Sequence, residues 1–262
     1  MCDIIHAGRE RGRRHNIVIV AEGAIDWHGN PIASDTVKQV LTDKLGEDTR
    51  VTILGHVQRG GAPSAFDRIM STMLGVEAVR ELVASGPEAE PQLIGLRDNS
   101  VSRSPLMENV YKTRQVATLI KAGDYKQAMA MRGRGFVEAY AILRTLVQAN
   151  PQTPQPGQRP LRLAIMHMGG PAPGMNTAVR AAVRIGLDTG HTVLAVENGL
   201  TGLLAGQIKE MDWMSVHGWV RRGGAELGTS RRLPTEQEYE RLAATLEQHR
   251  IDGILMIGGW VG

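Results

Sequence analysis

The densest collection of chemically useful side chains in this sequence is the run Gly55-His56-Val57-Gln58-Arg59-Gly60-Gly61. It places a protonatable donor, a permanent cation and pliable backbone N–H groups in one loop. That set suits a phosphate or a phosphorylated sugar, because arginine presents a planar fork to phosphoryl oxygens. Glu22, just after an earlier apolar run, offers a carboxylate acceptor for sugar hydroxyls. Spacing alone fits equally a hydrogen-bonded loop histidine and a surface cation, and both readings stay open here. Arg11, Arg13 and Arg14 form a second basic group, which spacing alone reads more readily as a solvated turn. Gly169, Gly170 and Gly174 lie between a strand pattern and a helix pattern, where a helix N-terminus attracts anions. That loop is neither G-x-G-x-x-G nor a Walker A motif, so it fixes no nucleotide class. Arg180 and Arg184 sit one turn apart on the following helix; they could share one anionic ligand, but alone they read as facing water. His6, His15, His167, His191 and His217 show no ligand spacing with cysteine or carboxylates, so no metal site is expected.

These residues need elements to position them. Ile17–Ala21 and Val51–Leu54 are short β-branched runs that read as buried strands, with Glu22 after the first and His56 and Arg59 after the second. Ser34-Asp35 caps an expected helix over 35–45. Ser64 and Asp67 stand at capping-box spacing and open a helix to about Ser85, with Phe66, Ile69, Met70, Met73 and Leu74 at helical intervals. Residues 116–149 are helical in pattern, interrupted at Gly123, Gly133 and Gly135. Residues 148–160 carry four prolines and one glycine and read as an extended linker.

Beyond the linker the pattern restarts. A strand is expected at 161–168, a loop at 169–174, a helix at 175–188 and a strand at 192–196. Thr235 and Glu238 form a second capping box before a helix to about His249, and a strand follows at 254–257. Alternating strands and helices with glycine-rich turns predict an α/β fold with mostly parallel, Rossmann-like sheets and flanking helices.

A net charge of +3 over 262 residues argues against a general nucleic-acid binder, whose affinity rests on many phosphate contacts. The one cysteine, Cys2, forms no internal disulfide. No apolar run approaches the roughly 20 residues that span a bilayer, and the first residues lack a signal-peptide pattern. A cytoplasmic protein without membrane or nucleic-acid partners is the expectation.

Three stretches carry a resemblance. They are Ile17–Ala24, Asp48–Gly61 and Pro63–Arg68, and together they closely resemble the phosphofructokinase family. Gly169-Gly170-Pro171-Ala172-Pro173-Gly174-Met175-Asn176, Gly223–Thr229 and Ile257-Gly258-Gly259 look like the start of a second copy of the same module. Leu106-Met107-Glu108 and Arg132–Phe136 resemble the region before the junction of the duplicated, eukaryotic-type ATP-dependent form. The resemblance implies four segments: 1–98 as the sugar-phosphate side of a first, catalytic module, 99–147 as its helical end, 148–160 as a linker, and 161–262 as the opening of a second, regulatory module.

It further implies phosphoryl transfer from MgATP to fructose 6-phosphate in a homo-oligomer of tetramer size or larger, controlled by phosphorylated effectors. By position, Glu22 matches the family's binder of sugar hydroxyls, and His56 and Arg59 its binders of the 6-phosphate. Arg50 matches an arginine that reaches the sugar phosphate of a neighbouring subunit. Arg11 and Arg13 match an effector pocket of bacterial relatives, and Arg180, Arg184 and Arg231 are added as effector candidates. The family's Thr-Ile-Asp-Asn-Asp motif, with its catalytic base, does not occur, so no catalytic residue is assigned. Its Gly-Gly-Asp-Gly stretch reads Gly258-Gly259-Trp260-Val261, and Trp260 cannot ligand magnesium. The main ligands of magnesium and ATP are therefore expected outside this sequence, with the first ATP loop upstream of Met1. A pyrophosphate-dependent relative and a non-enzymatic sugar-bisphosphate sensor remain alternatives.

Overall fold

Apolar alternation and glycine punctuation produce an α/β architecture. In the computed structural model, which describes residues 1–97, 100–154 and 157–259, the helices before the linker are α1 (Cys2–Glu10), α2 (Ser34–Leu45), α3 (Ala65–Ala84), α4 (Leu106–Lys121), α5 (Tyr125–Met131) and α6 (Arg134–Val147). Strands β1 (Gln92–Arg97) and β2 (Ser100–Pro105) lie among them. After the linker come β3 (Arg162–Met168), α7 (Met175–Asp188), β4 (Thr192–Val196), α8 (Gly199–Leu204), β5 (Ile208–Met211), α9 (Tyr239–Gln248) and β6 (Gly253–Gly258). The chain forms two units, one of residues 1–17 with 140–262, the other of residues 18–139.

The first unit is built on a sheet of order β5-β4-β3-β6. β3 runs parallel to β4 and β6, while β5 is antiparallel to β4. Successive residues of β3 face opposite sides, as the period of a strand requires. Ile165 packs with Val179 and Val183 of α7, Val193 and Ala195. Ala164, Met166 and Met168 pack with Leu200, Leu203 and Leu204 of α8, with Leu242 and Leu246 of α9 beside them. Each valine, leucine, isoleucine or methionine among them contributes about 1.5–3 kcal/mol on burial, so this two-sided core is the main stabilising feature. β3, α7, β4, α9 and β6 match the expected spans closely, and the second capping box is present. α8 and β5 were not anticipated. From β3 the chain moves to β4 on one side and later returns to β6 on the other. The crevice beyond the carboxyl ends of β3 and β6 is therefore the topological switch point.

In the second unit, α3 begins as the sequence indicates. Asp67 N–H donates to Ser64 Oγ (3.2 Å) and Ser64 N–H donates to Asp67 Oδ2 (2.8 Å). α3 packs on the antiparallel hairpin β1–β2, where Arg103 pairs with Glu77 and Glu81. α4 packs on α5.

Several expectations need correction. Residues 17–21 and 51–54 form no strand, with Ile17 at 86% and Ile19 at 90% exposure rather than buried. β-branched composition favours extended backbone, yet a strand also needs a neighbour to take its N–H and C=O groups. None of the described residues supplies one. Ala33 is the N-cap of α2, and Ser34 is its first residue without a capping bond. The pattern over 116–149 resolves into the end of α4, α5 and α6, broken at Gly123 and Gly133, both with positive φ; Gly135 lies inside α6. Strands β1 and β2 pair from Gln92↔Pro105 to Arg97↔Ser100, and the compact units part at 17/18 and 139/140.

The linker is anchored rather than free. Asp188, at the end of α7, accepts hydrogen bonds from Thr145 Oγ1 (3.0 Å), Gln152 N (2.9 Å) and Gln152 Nε2 (3.3 Å). Ala149, at the start of the segment, is buried. Gln158 Nε2 donates to Thr189 O (2.5 Å).

Candidate functional site

The loop with the expected phosphate chemistry is a 3-10 turn, Gly55–Arg59. It starts at Gly55 with φ 54°, a left-handed conformation that glycine adopts without strain. Val57 N–H donates to Leu54 O (3.2 Å) and Gly60 N–H to Val57 O (3.2 Å), closing the turn. His56 and Arg59 share this turn and are both exposed. Glu22 lies in the turn before the Ile25–Pro31 bridge, and Arg50 just before residues 51–54; both are exposed. None of the four side chains makes a hydrogen bond or ion pair among the described residues. They are free to meet a ligand, and the structure joins no two of them by a direct bond.

A second constellation occupies the crevice at β3 and β6. Gly169 (φ 81°) begins its loop, with Gly169 N–H donating to Ser230 O (2.8 Å) and Thr229 Oγ1 to Gly169 O (2.7 Å). A Cβ on Gly258 would lie 2.5 Å from Met168 O, so only glycine allows the two strand ends this approach. Arg231 extends over the loop, its Nη2 3.2 Å from where a Gly170 Cβ would stand, and is exposed. Arg232 pairs instead with Glu238. Asn176, fully buried at the start of α7, fixes the neighbouring turn: Nδ2 donates to Arg222 O (3.0 Å) and Gly223 O (3.1 Å), and Oδ1 accepts from Glu226 N (2.8 Å). His167 is buried on β3, and burial holds its pKa below the ordinary value. The crevice-lining loop at 169–174 carries no carboxylate. Among the described residues no group of three or more His, Cys, Asp or Glu side chains could hold a metal ion. Trp260 and Val261 lie outside the described residues.

The third constellation gathers four of the arginine candidates. Arg184, expected to face water, is 1% exposed, and its guanidinium stacks 4.0 Å from the centre of the Trp213 ring. Arg13 Nη2 donates to Gln148 O (3.0 Å), and Arg180 Nη2 reaches Leu146 O (3.4 Å). Desolvation, then repulsion from Arg180 and Arg13, lowers the Arg184 pKa to about 9, with Asp212 opposing and Arg11 adding to the repulsion. Burial also lowers Arg180, with Arg13 contributing, and lowers Arg13. Arg13 and Arg180 are half-buried, Arg11 is exposed, and Arg231 belongs to the crevice rather than to this group. Sequence reasoning missed Trp213 and Asn176. A tryptophan late in an α/β unit carries no signal of stacking, and a single asparagine at a helix start reads as a cap.

The phosphofructokinase family profile matches residues 1–82 and 162–261. The chain belongs to the phosphofructokinase family. It is 44% identical over 260 residues to the muscle-type ATP-dependent 6-phosphofructokinases of Canis lupus familiaris and Homo sapiens, and 45% identical to the liver type of Mus musculus. Each alignment covers 99% of this chain and 33% of the relative, so the chain spans about a third of the length of these phosphofructokinases. Among solved structures, Pichia pastoris phosphofructokinase in the T-state superposes with a TM-score of 0.93 at 38% identity, covering 99% of this chain and 30% of that one. Saccharomyces cerevisiae phosphofructokinase gives 0.92 at 39% identity, with 100% and 34% covered. Both the fold and the tandem, eukaryotic-type resemblance read from the sequence stand.

Proposed function

We propose that the protein containing this chain transfers the γ-phosphoryl group of MgATP to the 1-hydroxyl of fructose 6-phosphate, and that this chain supplies the sugar-phosphate side. The observation that carries the reading is the exposed turn Gly55–Arg59, which presents His56 and Arg59 unpaired in a chain 44% identical to enzymes named for this reaction. In this reading His56 and Arg59 hold the 6-phosphate and Glu22 accepts from sugar hydroxyls. Arg50 serves a neighbouring subunit of a homo-oligomer of tetramer size or larger, working in the cytoplasm. Such catalysis is mostly positioning and charge stabilisation, so a misplaced phosphate costs rate as well as affinity. MgATP supplies the phosphoryl group. The names of the relatives favour ATP over pyrophosphate as donor.

Buried Arg184 and half-buried Arg13 and Arg180, with exposed Arg11 beside them, act in this reading as the site of an anionic, phosphorylated effector, and Arg231 as a separate effector contact at the crevice. The test of the main reading is a coupled assay on the full-length protein with Arg59→Ala. Losing one charge-assisted phosphate contact costs about 1.5–3 kcal/mol, so KM for fructose 6-phosphate rises roughly ten- to a hundredfold. An unchanged KM makes Arg59 a surface cation and removes the turn from the site.

A further inference from the structure

The arginine cluster is short of negative charge. Arg180, Arg13 and Arg11 repel the Arg184 charge and Asp212 opposes them, while Arg13, Arg184 and Arg180 also act on His217. The Asp212 carboxylate is already engaged by Met214 N, Ser215 N and Ser215 Oγ, at 2.7–2.9 Å. Among the described residues, Arg13 Nε and Arg184 Nε and Nη1 are buried without a hydrogen-bond partner. Buried donors left unmade are costly, and buried cations are ordinarily paired. What does meet these arginines is backbone. Leu146 O and Gln148 O, at and just past the end of α6, accept from Arg180 and Arg13. The end of a helix is its negative pole, so these carbonyls stand where an anion would, but with partial charge only.

Gln148 O has a second donor, Trp213 Nε1 (3.2 Å). The same carbonyl therefore ties Arg13 to the ring that lies over Arg184. Trp213 is 1% exposed, and Ala149, next along the strap, is buried as well. We propose that residues 146–149 are a strap that locks Trp213 over Arg184, and that an oxyanion gains the free Arg184 donors only by displacing this strap. The inference rests on the anionic-effector reading of the cluster and adds its regulation: the occupant of the resting site is the chain's own linker. A full negative charge outcompetes a carbonyl for guanidinium donors, since charge-assisted hydrogen bonds are about twice as strong as neutral ones. Effector binding and docking of the linker are then alternatives, which couples the site to the segment joining the two family modules.

The experiment titrates the full chain with inorganic phosphate at constant ionic strength, following amide exchange of residues 145–152, and repeats it with Trp213→Phe and Arg184→Gln. In the unsubstituted chain phosphate accelerates exchange in 145–152 saturably, by about tenfold or more, the worth of one lost charge-assisted hydrogen bond. Trp213→Phe keeps a ring over the guanidinium but removes the N–H that ties it to Gln148 O. It tightens phosphate binding about threefold to tenfold, whereas a merely structural Trp213 would weaken it or leave it unchanged. Arg184→Gln abolishes the response; Arg180→Gln, at a less buried position, loosens 145–152 without phosphate and serves if Arg184→Gln does not fold. Saturable binding with unchanged or slowed exchange in 145–152 overturns the strap and leaves the effector reading intact. An absence of saturable binding overturns both.

Discussion

Replacing Asn176 by alanine is the sharpest probe of how the crevice is held. Its side chain is fully buried and makes three hydrogen bonds to backbone groups 46 to 50 residues away, at 3.0, 3.1 and 2.8 Å. Alanine removes all three, leaving the Glu226 N–H without its acceptor and the Arg222 and Gly223 carbonyls without a donor. An unsatisfied buried group costs about 1–3 kcal/mol. Arg222, Gly223 and Glu226 lie on an exposed turn, so water recovers part of each bond and the lower figure applies, giving a total near 3 kcal/mol. Against the 5–15 kcal/mol typical of a domain this is a large fraction. With a urea slope of about 1–3 kcal/mol/M, the midpoint falls by about 1–3 M. Tryptophan emission isolates the relevant unit, because Trp213 and Trp219 are buried there whereas Trp27 is 90% exposed and changes little on unfolding. Asn176→Asp retains the acceptor for Glu226 but sets a carboxylate against two carbonyls, and is at least as damaging. A loss below about 1 kcal/mol for alanine, or a neutral aspartate, refutes the view that these bonds hold the turn.

Three further outcomes follow from the same physical picture. His167 is held below its ordinary pKa of about 6.5 by burial, so the unfolded chain binds a proton that the folded chain refuses; stability falls as pH drops below about 6.5 and continues falling to the folded pKa, and His167→Leu flattens that slope in urea titrations across pH. The isolated chain shows no turnover with fructose 6-phosphate and MgATP in a coupled assay, since the family's motif bearing the base is not in this sequence; turnover above background from contaminant-free protein defeats that reading. Residues 18–139 bury little apolar surface, with Leu41 and Ala128 the buried apolar side chains among the described residues there, while Ile19, Ile53, Val57, Phe66, Leu82 and Val83 are exposed; sedimentation velocity finds the isolated chain associating, and a sharp monomer with one cooperative melt refutes this.

How much of the fold was legible depended on whether each element could complete itself nearby. Leu163–Met168, His167 apart, is apolar on both sides because helices from the following 90 residues cover both faces, so sequence pattern and structure agree. The capping boxes at Ser64 and Thr235 are local devices and were read without error. Ile17–Ala21 and Val51–Leu54 carry the same strand composition, but pairing is not a property of a segment. Without a neighbour among the described residues they form no strand. α8 was illegible because Gly199 and Gly202 are poor helix formers kept for contact: a Cβ at Gly199 would lie 2.5 Å from His167 O.

The candidate sites divide along the same line. His56 and Arg59 were found because a single short turn carries both side chains, and their spacing is itself the geometry. Arg184 was misjudged because helical spacing places it beside Arg180, while its burial depends on Trp213, 29 positions later, and on a carbonyl in a segment that reads as a linker. Proline-rich composition announces extended backbone, but it does not say whether that backbone is free. Here Thr145, Gln152 and Gln158 bond to residues at the end of α7, and Leu146 O and Gln148 O accept from Arg180, Arg13 and Trp213. Besides the buried Ala149, this segment contributes a carbonyl acceptor, and acceptors are what the cluster of Arg13, Arg180 and Arg184 lacks.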